Sequence, residues 1–340
     1  MITDIRPADA SAADIDIDLL APGFVDLQVN GIGEIDVATA DGAKWDELDR
    51  HLVAQGVTTW CPTLVTMPLD AYASPLDRIA TAMGRGDSPR PAIAGVHLEG
   101  PFLGGAAGAH RPELIVEVDL EWIDALPAHV AIVTLGAEQR LAATAIDRLG
   151  RRGVLVSIGH TIATDAQLDQ AQATGAAMVT HLFNAMSGLH HRTPGVAAWT
   201  LTHPSICASL IADGVHVHPR MLRLAFAALA PDRIVLITDA VAWRSGSLGA
   251  ISIDLVDGAP RLPDGILAGS ALTMDAAIRT CVDAGIPLEA ALSAASTNPA
   301  RLLGLQDRGV IQPGRRADLV GLSSDLDVAA VYIGGQLVTR

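Results

Sequence analysis

Histidines and carboxylates recur near the ends of short apolar runs in this chain of 340 residues. Glu99, His160, His181 and Asp239 stand at or close to the ends of four different runs. A single histidine in such a place is usually structural, whereas several on independent runs indicate a built site. One carboxylate and two imidazoles form a three-ligand set that leaves a position for water, which is typical of a catalytic metal centre. Glu99, His160 and His181 are therefore predicted to bind a metal.

Two more side chains fit the chemistry of such a centre. Asp239 could act as the general base towards an attacking water molecule. His110, in the segment Gly108-Ala109-His110, could polarise a substrate carbonyl group. Together these residues predict metal-dependent hydrolysis.

The apolar runs that carry these residues are nearly continuous in apolar character, as in parallel strands buried on both faces. Helical patterns, such as Glu138–Gly150, fill most of the intervals between them. Strands alternating with helices over about 250 residues predict a TIM-type (β/α)₈ barrel, whose chemistry lies at the carboxyl ends of the strands. A doubly wound sheet is the alternative, but no obvious glycine-rich phosphate loop supports it. The eight predicted strands are Gly23–Asn30, Thr58–Val65, Ile93–Glu99, Val130–Leu135, Gly153–His160, Ala176–Asn184, Cys207–Asp213 and Arg233–Asp239.

The two ends of the chain lie outside this alternation. Residues 1–21 and 306–340 are predicted to form a small β-domain whose N-terminal part is short, and residues 22–305 form the barrel. A hairpin insertion is expected near residues 250–266, where Asp257-Gly258 separates two apolar runs.

Composition limits the partners and the compartment. A net charge of −15, with 18% charged and 50% hydrophobic residues, excludes a disordered chain and argues against binding to nucleic acid or an anionic membrane. Three scattered cysteines give no disulfide framework, which favours a reducing compartment such as the cytoplasm. We find neither a signal-peptide pattern nor an apolar run near the ~20 residues of a membrane span.

Two segments resemble the amidohydrolase superfamily. Pro22-Gly23-Phe24-Val25-Asp26 is similar to its opening motif and Thr238-Asp239-Ala240 to its strand-eight aspartate. Five further motifs narrow the resemblance, over roughly residues 21–340, to the N-acetylglucosamine-6-phosphate deacetylases. These motifs are His97-Leu98-Glu99-Gly100-Pro101-Phe102, Gly159-His160-Thr161, Thr180-His181-Leu182-Phe183-Asn184-Ala185-Met186, Asp213-Gly214-Val215-His216 and Leu267-Ala268-Gly269-Ser270.

The resemblance implies removal of acetate from N-acetylglucosamine 6-phosphate, which gives glucosamine 6-phosphate. It implies Glu99, His160 and His181 as the ligands of a divalent metal, with zinc expected first and iron, cobalt or manganese as alternatives. It also implies Asp239 as the general base and then the general acid. His110 would stabilise the amide oxygen.

For the substrate, the resemblance implies contacts at the sugar phosphate. Asn184 and Ala185 would approach it, and Arg192 would pair with it. His216 would reach the phosphate in the neighbouring subunit of a homodimer. A guanidinium group and a protonatable imidazole both suit a phosphate.

The chain departs from the superfamily pattern at strand one. Gln28 and Asn30 replace a common His-x-His pair, and neutral amides bind divalent metals poorly beside imidazole. We therefore expect one metal per subunit, with Gln28 and Asn30 as the wall of a vestigial second site. Trp243 and Arg244 also differ from the usual loop near the expected sugar position, so a deacetylase of another N-acetyl amino-sugar phosphate, such as the galactosamine isomer, is an alternative.

The sequence argues against two other functions. Many cyclic-amide hydrolases bridge two metals with a carboxylated lysine on strand four. That bridge cannot form here, because the only lysine of the chain is Lys44, on the first predicted helix. A catalytically inactive sugar-phosphate-binding paralogue is disfavoured because His160, His181 and Asp239 are all present.

Overall fold

The computed structural model describes residues 1–4, 17–86, 88–248 and 251–339. At its centre, eight parallel strands each pair with the next strand along the chain, and helices lie between them. The predicted (β/α)₈ barrel is therefore confirmed. The barrel strands, numbered one to eight below, are Phe24–Val29, Val57–Leu64, Val96–Glu99, Val130–Leu135, Leu155–Ile158, Ala176–Val179, Cys207–Leu210 and Ile234–Leu236.

The barrel closes through the segment that follows strand eight. The backbone N–H of Asp239 donates to the carbonyl of Gln28 at 2.9 Å, and that of Asn30 donates to the carbonyl of Ala240 at 2.8 Å. This closure sets Asp239 directly beside the amide side chains of strand one.

Helices cover the outside of the barrel with apolar faces. In Ala142–Arg151, for example, Ala142, Ala145, Ile146 and Leu149 recur at helical spacing and are buried. The predicted helix Glu138–Gly150 thus starts later than expected, and Glu138 lies in the preceding turn. The other α-helices are Lys44–Ala54, Ala73–Met83, Leu120–Ala125, Asp165–Ala173, Gly195–Thr202, Pro219–Ala228, Met274–Asp283, Leu288–Ala295 and Thr297–Leu302.

Strands from both ends of the chain form a small antiparallel sheet. Leu19–Pro22 pairs with Leu319–Leu322, which pairs with Val328–Ile333, which pairs with Gln336–Thr339. Most of the expected N-terminal part of this unit, residues 5–16, falls outside the described residues.

The predicted hairpin region holds two antiparallel strand pairs. Ser247–Leu248 pairs with Ile251–Ser252, and Asp254–Val256 pairs with Ala259–Arg261. Positions 249 and 250 lie outside the described residues.

Apolar side chains fill the inside of the barrel. Val25, Leu27, Cys61, Ile132 and Val235 are buried together from strands one, two, four and eight. Polar residues begin where these strands end, as is usual for this fold. In the described ranges, no helix has the length and apolar character needed to cross a bilayer.

Candidate metal and active site

Three potential metal ligands meet at the carboxyl end of the barrel. Nε2 of His160 lies 3.1 Å from Oε1 of Glu99, and Nε2 of His181 lies 3.0 Å from the same oxygen. The two Nε2 atoms are 3.1 Å apart. All three side chains are at least 94% buried.

The backbone at these positions turns sharply to aim the side chains inward. His160, His181 and Asp239 adopt φ values of 49°, 34° and 49°, which are unusual for residues other than glycine. Of the eight such residues in the described chain, these three, with Phe183 and Ala185, line one cavity. Left-handed backbone is thus concentrated at this site.

The ring of His160 is oriented for metal binding through Nε2. Its Nδ1–H donates to the carbonyl oxygens of Ala106 and Ala107, each at 3.1 Å. That arrangement fixes the proton on Nδ1 and leaves the Nε2 lone pair directed at Glu99. Nδ1 of His181, by contrast, has no hydrogen-bond partner among the described residues.

A second grouping of ligands is geometrically open. His110 can replace His181 as the third donor beside Glu99 and His160, since its nitrogen lies within 4.8 Å of theirs. Nε2 of His110 is 3.7 Å from Oε2 of Glu99, whereas the donor atoms of the His181 grouping are 3.0–3.1 Å apart. The set of Glu99, His160 and His181 is therefore the tighter of the two.

Asp239 faces this cluster across the amides of strand one. Its Oδ1 accepts a hydrogen bond from Nδ2 of Asn30 at 2.7 Å and one from Nε2 of Gln28 at 3.0 Å. The same Gln28 nitrogen also donates to Oε1 of Glu99 at 3.0 Å. Gln28 therefore bridges the carboxylates of Asp239 and Glu99.

The protonation of the cluster follows from burial and from neighbouring charges. Burial alone would raise the pKa of Glu99, but the imidazoles of His110, His160 and His181 beside it hold that pKa well below its usual range. Burial, and then the charge of Glu99, raise the pKa of Asp239 to about 8. Burial and the neighbouring His110 lower the pKa of His160, which favours the neutral ring that a metal requires.

His110 lies at the edge of the cluster with its own support. The backbone N–H of Thr66 donates to Nδ1 of His110 at 3.4 Å, and the Thr66 hydroxyl lies 2.8 Å from the same atom. The ring proton is therefore best placed on Nε2, on the side of Glu99.

One cavity of about 280 Å³ contains these groups and extends towards strands six and seven. On that side it is lined by Asn184, Ala185 and His216. Nδ1 of His216 lies 2.6 Å from Oδ2 of Asp213, and hydrogen bonds from His216 hold the pKa of Asp213 below its usual range despite burial. The imidazole is thus anchored and can present Nε2 to an anion.

The expected division of the phosphate contacts between subunits stays a prediction. His216 lines the cavity of its own chain, where Asp213 accepts hydrogen bonds from its ring and from its backbone N–H. The described residues that line the cavity do not include Arg192, which lies in the exposed stretch 188–194.

The sequence places Trp243 and Arg244 near the expected sugar position, whereas the structure places them away from the cavity wall. Trp243 packs against Val241, Ile253 and Ala268, and the Arg244 guanidinium stacks 4.7 Å from the Trp243 ring centre. Neither side chain is among the described residues that line the cavity. They lie behind Val241, which does line it.

Some residues of the site escaped sequence reasoning. Thr66 is an isolated threonine after strand two, and its contact with His110 has no sequence signal. Phe183 and Gly269 also line the cavity. Both lie in motifs that carried the family resemblance, but neither was given a role from the sequence. Asp213 precedes His216 by three positions, a spacing that can signal an imidazole–carboxylate pair.

Residues 19–338 match the amidohydrolase family. The chain belongs to that family. It is 38% identical over 351 residues to the N-acetylgalactosamine-6-phosphate deacetylase of Escherichia coli O157:H7, covering 100% of this chain and 93% of that protein. It is also 38% identical over 346 residues to the N-acetylglucosamine-6-phosphate deacetylase of Homo sapiens, covering 94% and 83%.

A solved structure extends the similarity to three dimensions. This amidohydrolase superimposes on a variant of the N-acetyl-D-glucosamine-6-phosphate deacetylase of Mycobacterium smegmatis, in complex with N-acetyl-D-glucosamine-6-phosphate, with a TM-score of 0.88. The two chains are 35% identical, and the match covers 98% of this chain and 91% of the other. The resemblance to the N-acetylglucosamine-6-phosphate deacetylases is confirmed, and the amidohydrolase is a hydrolytic enzyme.

Members of the amidohydrolase family generally use a divalent metal, and the residues present fit one. Tetrahedral ligands at about 2.0–2.1 Å from zinc lie about 3.3–3.4 Å from one another. The donor atoms of Glu99, His160 and His181 are already 3.0–3.1 Å apart, so a small outward movement suffices.

Proposed function

We propose that this amidohydrolase hydrolyses the acetamido group of N-acetylglucosamine 6-phosphate to give glucosamine 6-phosphate and acetate. One observation carries the proposal: a single cavity joins the Glu99, His160 and His181 cluster to the anion-facing His216. An amide near the cluster and a phosphate near His216 belong to one small substrate.

Glu99, His160 and His181 would hold one divalent ion per subunit, zinc in the first instance. When bound, such an ion supplies Lewis acidity for amide hydrolysis. Gln28 and Asn30 would not ligate a second ion, because neutral amide oxygens are weak ligands for a zinc-like ion.

Asp239 would move the proton during the reaction. Among the described residues, Gln28 and Asn30 donate hydrogen bonds to Oδ1 of Asp239. Oδ2 would therefore be the oxygen that takes a proton from the attacking water. The same oxygen would give that proton to the amine nitrogen as the C–N bond breaks. Nε2–H of His110 would donate a hydrogen bond to the amide oxygen, on which negative charge develops.

The phosphate end would be held by groups from strands six and seven. Asn184 and Ala185 lie beside His216 in the cavity lining, and His216 would donate from Nε2 to a phosphate oxygen. We infer that Arg192 of a second copy completes this end in a homodimer. The exposure of residues 188–194, including Arg192, supports this arrangement.

The galactosamine isomer is the second candidate substrate. Its support is the relative from Escherichia coli O157:H7 named for that sugar, at 38% identity over this whole chain. The two sugars differ only in the orientation of one hydroxyl group, and no side chain assigned here selects between them. We further propose a cytoplasmic location, which suits three buried and unpaired cysteines.

The test is acetate release from a panel of N-acetylhexosamines with and without the 6-phosphate, with metal analysis of the same sample. N-acetylglucosamine 6-phosphate should give the highest kcat/KM, and the sugars without phosphate should fall by orders of magnitude. A higher kcat/KM for the galactosamine isomer would select the second candidate. Release of acetate from no sugar phosphate by metal-loaded protein would overturn both.

A further inference from the structure

The loop after strand four supplies no ligand to the proposed metal, yet one of its carboxylates joins the two segments that carry His110 and His160. Oε1 of Glu138 accepts hydrogen bonds from the backbone N–H of Gly105 and of Ile162, each at 2.8 Å. Oε2 accepts a hydrogen bond from the hydroxyl of Thr161. Glu138 thus ties the loop after strand three to the segment that follows His160.

The tied loop serves the active site at three points. Its Gly104 N–H donates to the backbone carbonyl of His160 at 2.8 Å. Its Ala106 and Ala107 carbonyls orient the His160 ring, and its last residue is His110. The rings of His110 and His160 contact edge to face, with centres 4.4 Å apart.

Glycines bring this loop against Glu138. A Cβ at Gly104 would lie 2.1 Å from Oε1 of Glu138, and a Cβ at Gly136 would lie 2.4 Å from the backbone nitrogen of Gly104. Side chains at either position would lift the loop from the carboxylate. The contact therefore depends on the backbone path of both segments, unlike a chance surface hydrogen bond.

We propose that Glu138 is a positioning residue, which holds the His110 loop against the end of strand five so that His110 and His160 face Glu99 together. The proposal rests on the proposed function for its catalytic consequence. Glu138 touches neither ligand nor base directly and acts through Gly105, Thr161 and Ile162.

Two variants and one control test it. Glu138→Ala removes all three acceptor contacts, whereas Glu138→Gln keeps an oxygen for the two N–H groups, and the Thr161 hydroxyl can turn to accept from the new amide. Asp119→Ala is the matched control, because Asp119 also accepts from two backbone N–H groups, of Glu121 and Trp122, each at 3.0 Å. Those bonds begin a helix and have no contact with the cavity lining.

Kinetics should separate positioning from stability. Per bound metal, Glu138→Ala should lower kcat by about 10–100-fold, since misplacement of catalytic groups by about 1 Å can cost 10²-fold. KM should change less than threefold, because the phosphate groups belong to strands six and seven. Glu138→Gln should retain at least a third of the wild-type kcat, and Asp119→Ala should retain nearly all of it.

Hydrogen exchange of the metal-free proteins gives a readout that is independent of activity. Amides in residues 103–110 and 160–163 should exchange at least tenfold faster in Glu138→Ala, but not in Glu138→Gln or Asp119→Ala. Wild-type exchange and wild-type kcat per metal in Glu138→Ala would overturn the proposal, as would an equal loss of kcat in Asp119→Ala. If wild-type protein hydrolyses no sugar phosphate, the proposed function fails and the exchange experiment alone decides the role of Glu138.

Discussion

The two halves of the cavity are held in different ways. In the metal half, Glu99, His160 and His181 come from the ends of three barrel strands and are nearly fully buried. In the phosphate half, Asn184 and Ala185 are half-buried loop residues, and His216 depends on Asp213 for its orientation. The barrel strands alone position the residues of the metal half. The phosphate half is made of loop residues, so a second molecule could contribute further contacts to it.

The metal half is itself asymmetric. Strands three, five and six provide the ionisable side chains, whereas strand one provides the amides of Gln28 and Asn30. Those amides hydrogen-bond Asp239, the group proposed to transfer the proton. This difference predicts which changes abolish activity and which only weaken it.

Removal of the metal should have the largest effect. We expect one tightly bound divalent ion per subunit, and complete loss of activity on chelation with recovery on adding the ion back. Elemental analysis should be made on protein purified without added metal and again after incubation with excess zinc and desalting. Two retained equivalents, with activity rising in step with the second, would contradict the single-ion assignment.

Asp239→Asn should come next. The variant keeps an oxygen for the amides of Asn30 and Gln28 but cannot carry a proton, so turnover should fall about 10²–10⁴-fold with metal content unchanged. Asp213→Asn, a carboxylate change in the phosphate half, is the matched control and should act mainly through KM. Turnover above a tenth of wild type in Asp239→Asn would remove that residue from the mechanism.

The phosphate half is tested by mixing subunits. His216→Ala and Arg192→Ala should each lower kcat/KM about 10–100-fold, because each removes a charge-assisted hydrogen bond to phosphate. If the two residues reach one site from different subunits, mixing the two weakened variants restores one intact site per heterodimer, which raises kcat/KM above that of either variant alone. No recovered activity after demonstrated subunit exchange would show that they act within one chain or do not bind phosphate.

Sequence reasoning succeeded where periodic patterns and strand ends carry the information. The eight strands and the convergence of Glu99, His160, His181 and Asp239 followed from apolar runs that end in polar residues. It failed where contacts depend on loop paths. Nothing in the sequence pattern shows that Thr66 supports His110, and Glu138 was assigned to a helix that begins only at Ala142. Loop paths also decide that His216 lines the cavity whereas Arg192 does not, and the sequence pattern does not reveal these paths.

The last prediction concerns stability rather than activity and involves Asp26, which joins strands one and eight beneath Asp239. Its Oδ2 accepts a hydrogen bond from the Thr238 hydroxyl at 2.6 Å, and Oδ1 accepts from the backbone N–H groups of Gln28 and Thr238. Burial nevertheless raises the pKa of Asp26 from 3.8 to about 7. Between these values the folded chain keeps a proton that the unfolded chain has lost. The contribution of Asp26 to the free energy of unfolding therefore falls as pH rises through this window, by up to about 4 kcal/mol.

Wild-type stability alone would not reveal this effect, because His97 works against it. Burial lowers the pKa of His97 from 6.5 to about 4, so its contribution is lost as pH falls from 6.5 towards 4. Asp26→Asn cannot titrate, and the variant shares His97 with the wild type. The free energy of unfolding of the variant minus that of the wild type should therefore rise between pH 5 and 7 and level off above pH 8. Denaturant titrations of both metal-free proteins across this range measure the difference, and a difference independent of pH would show that Asp26 is already ionised in the folded barrel.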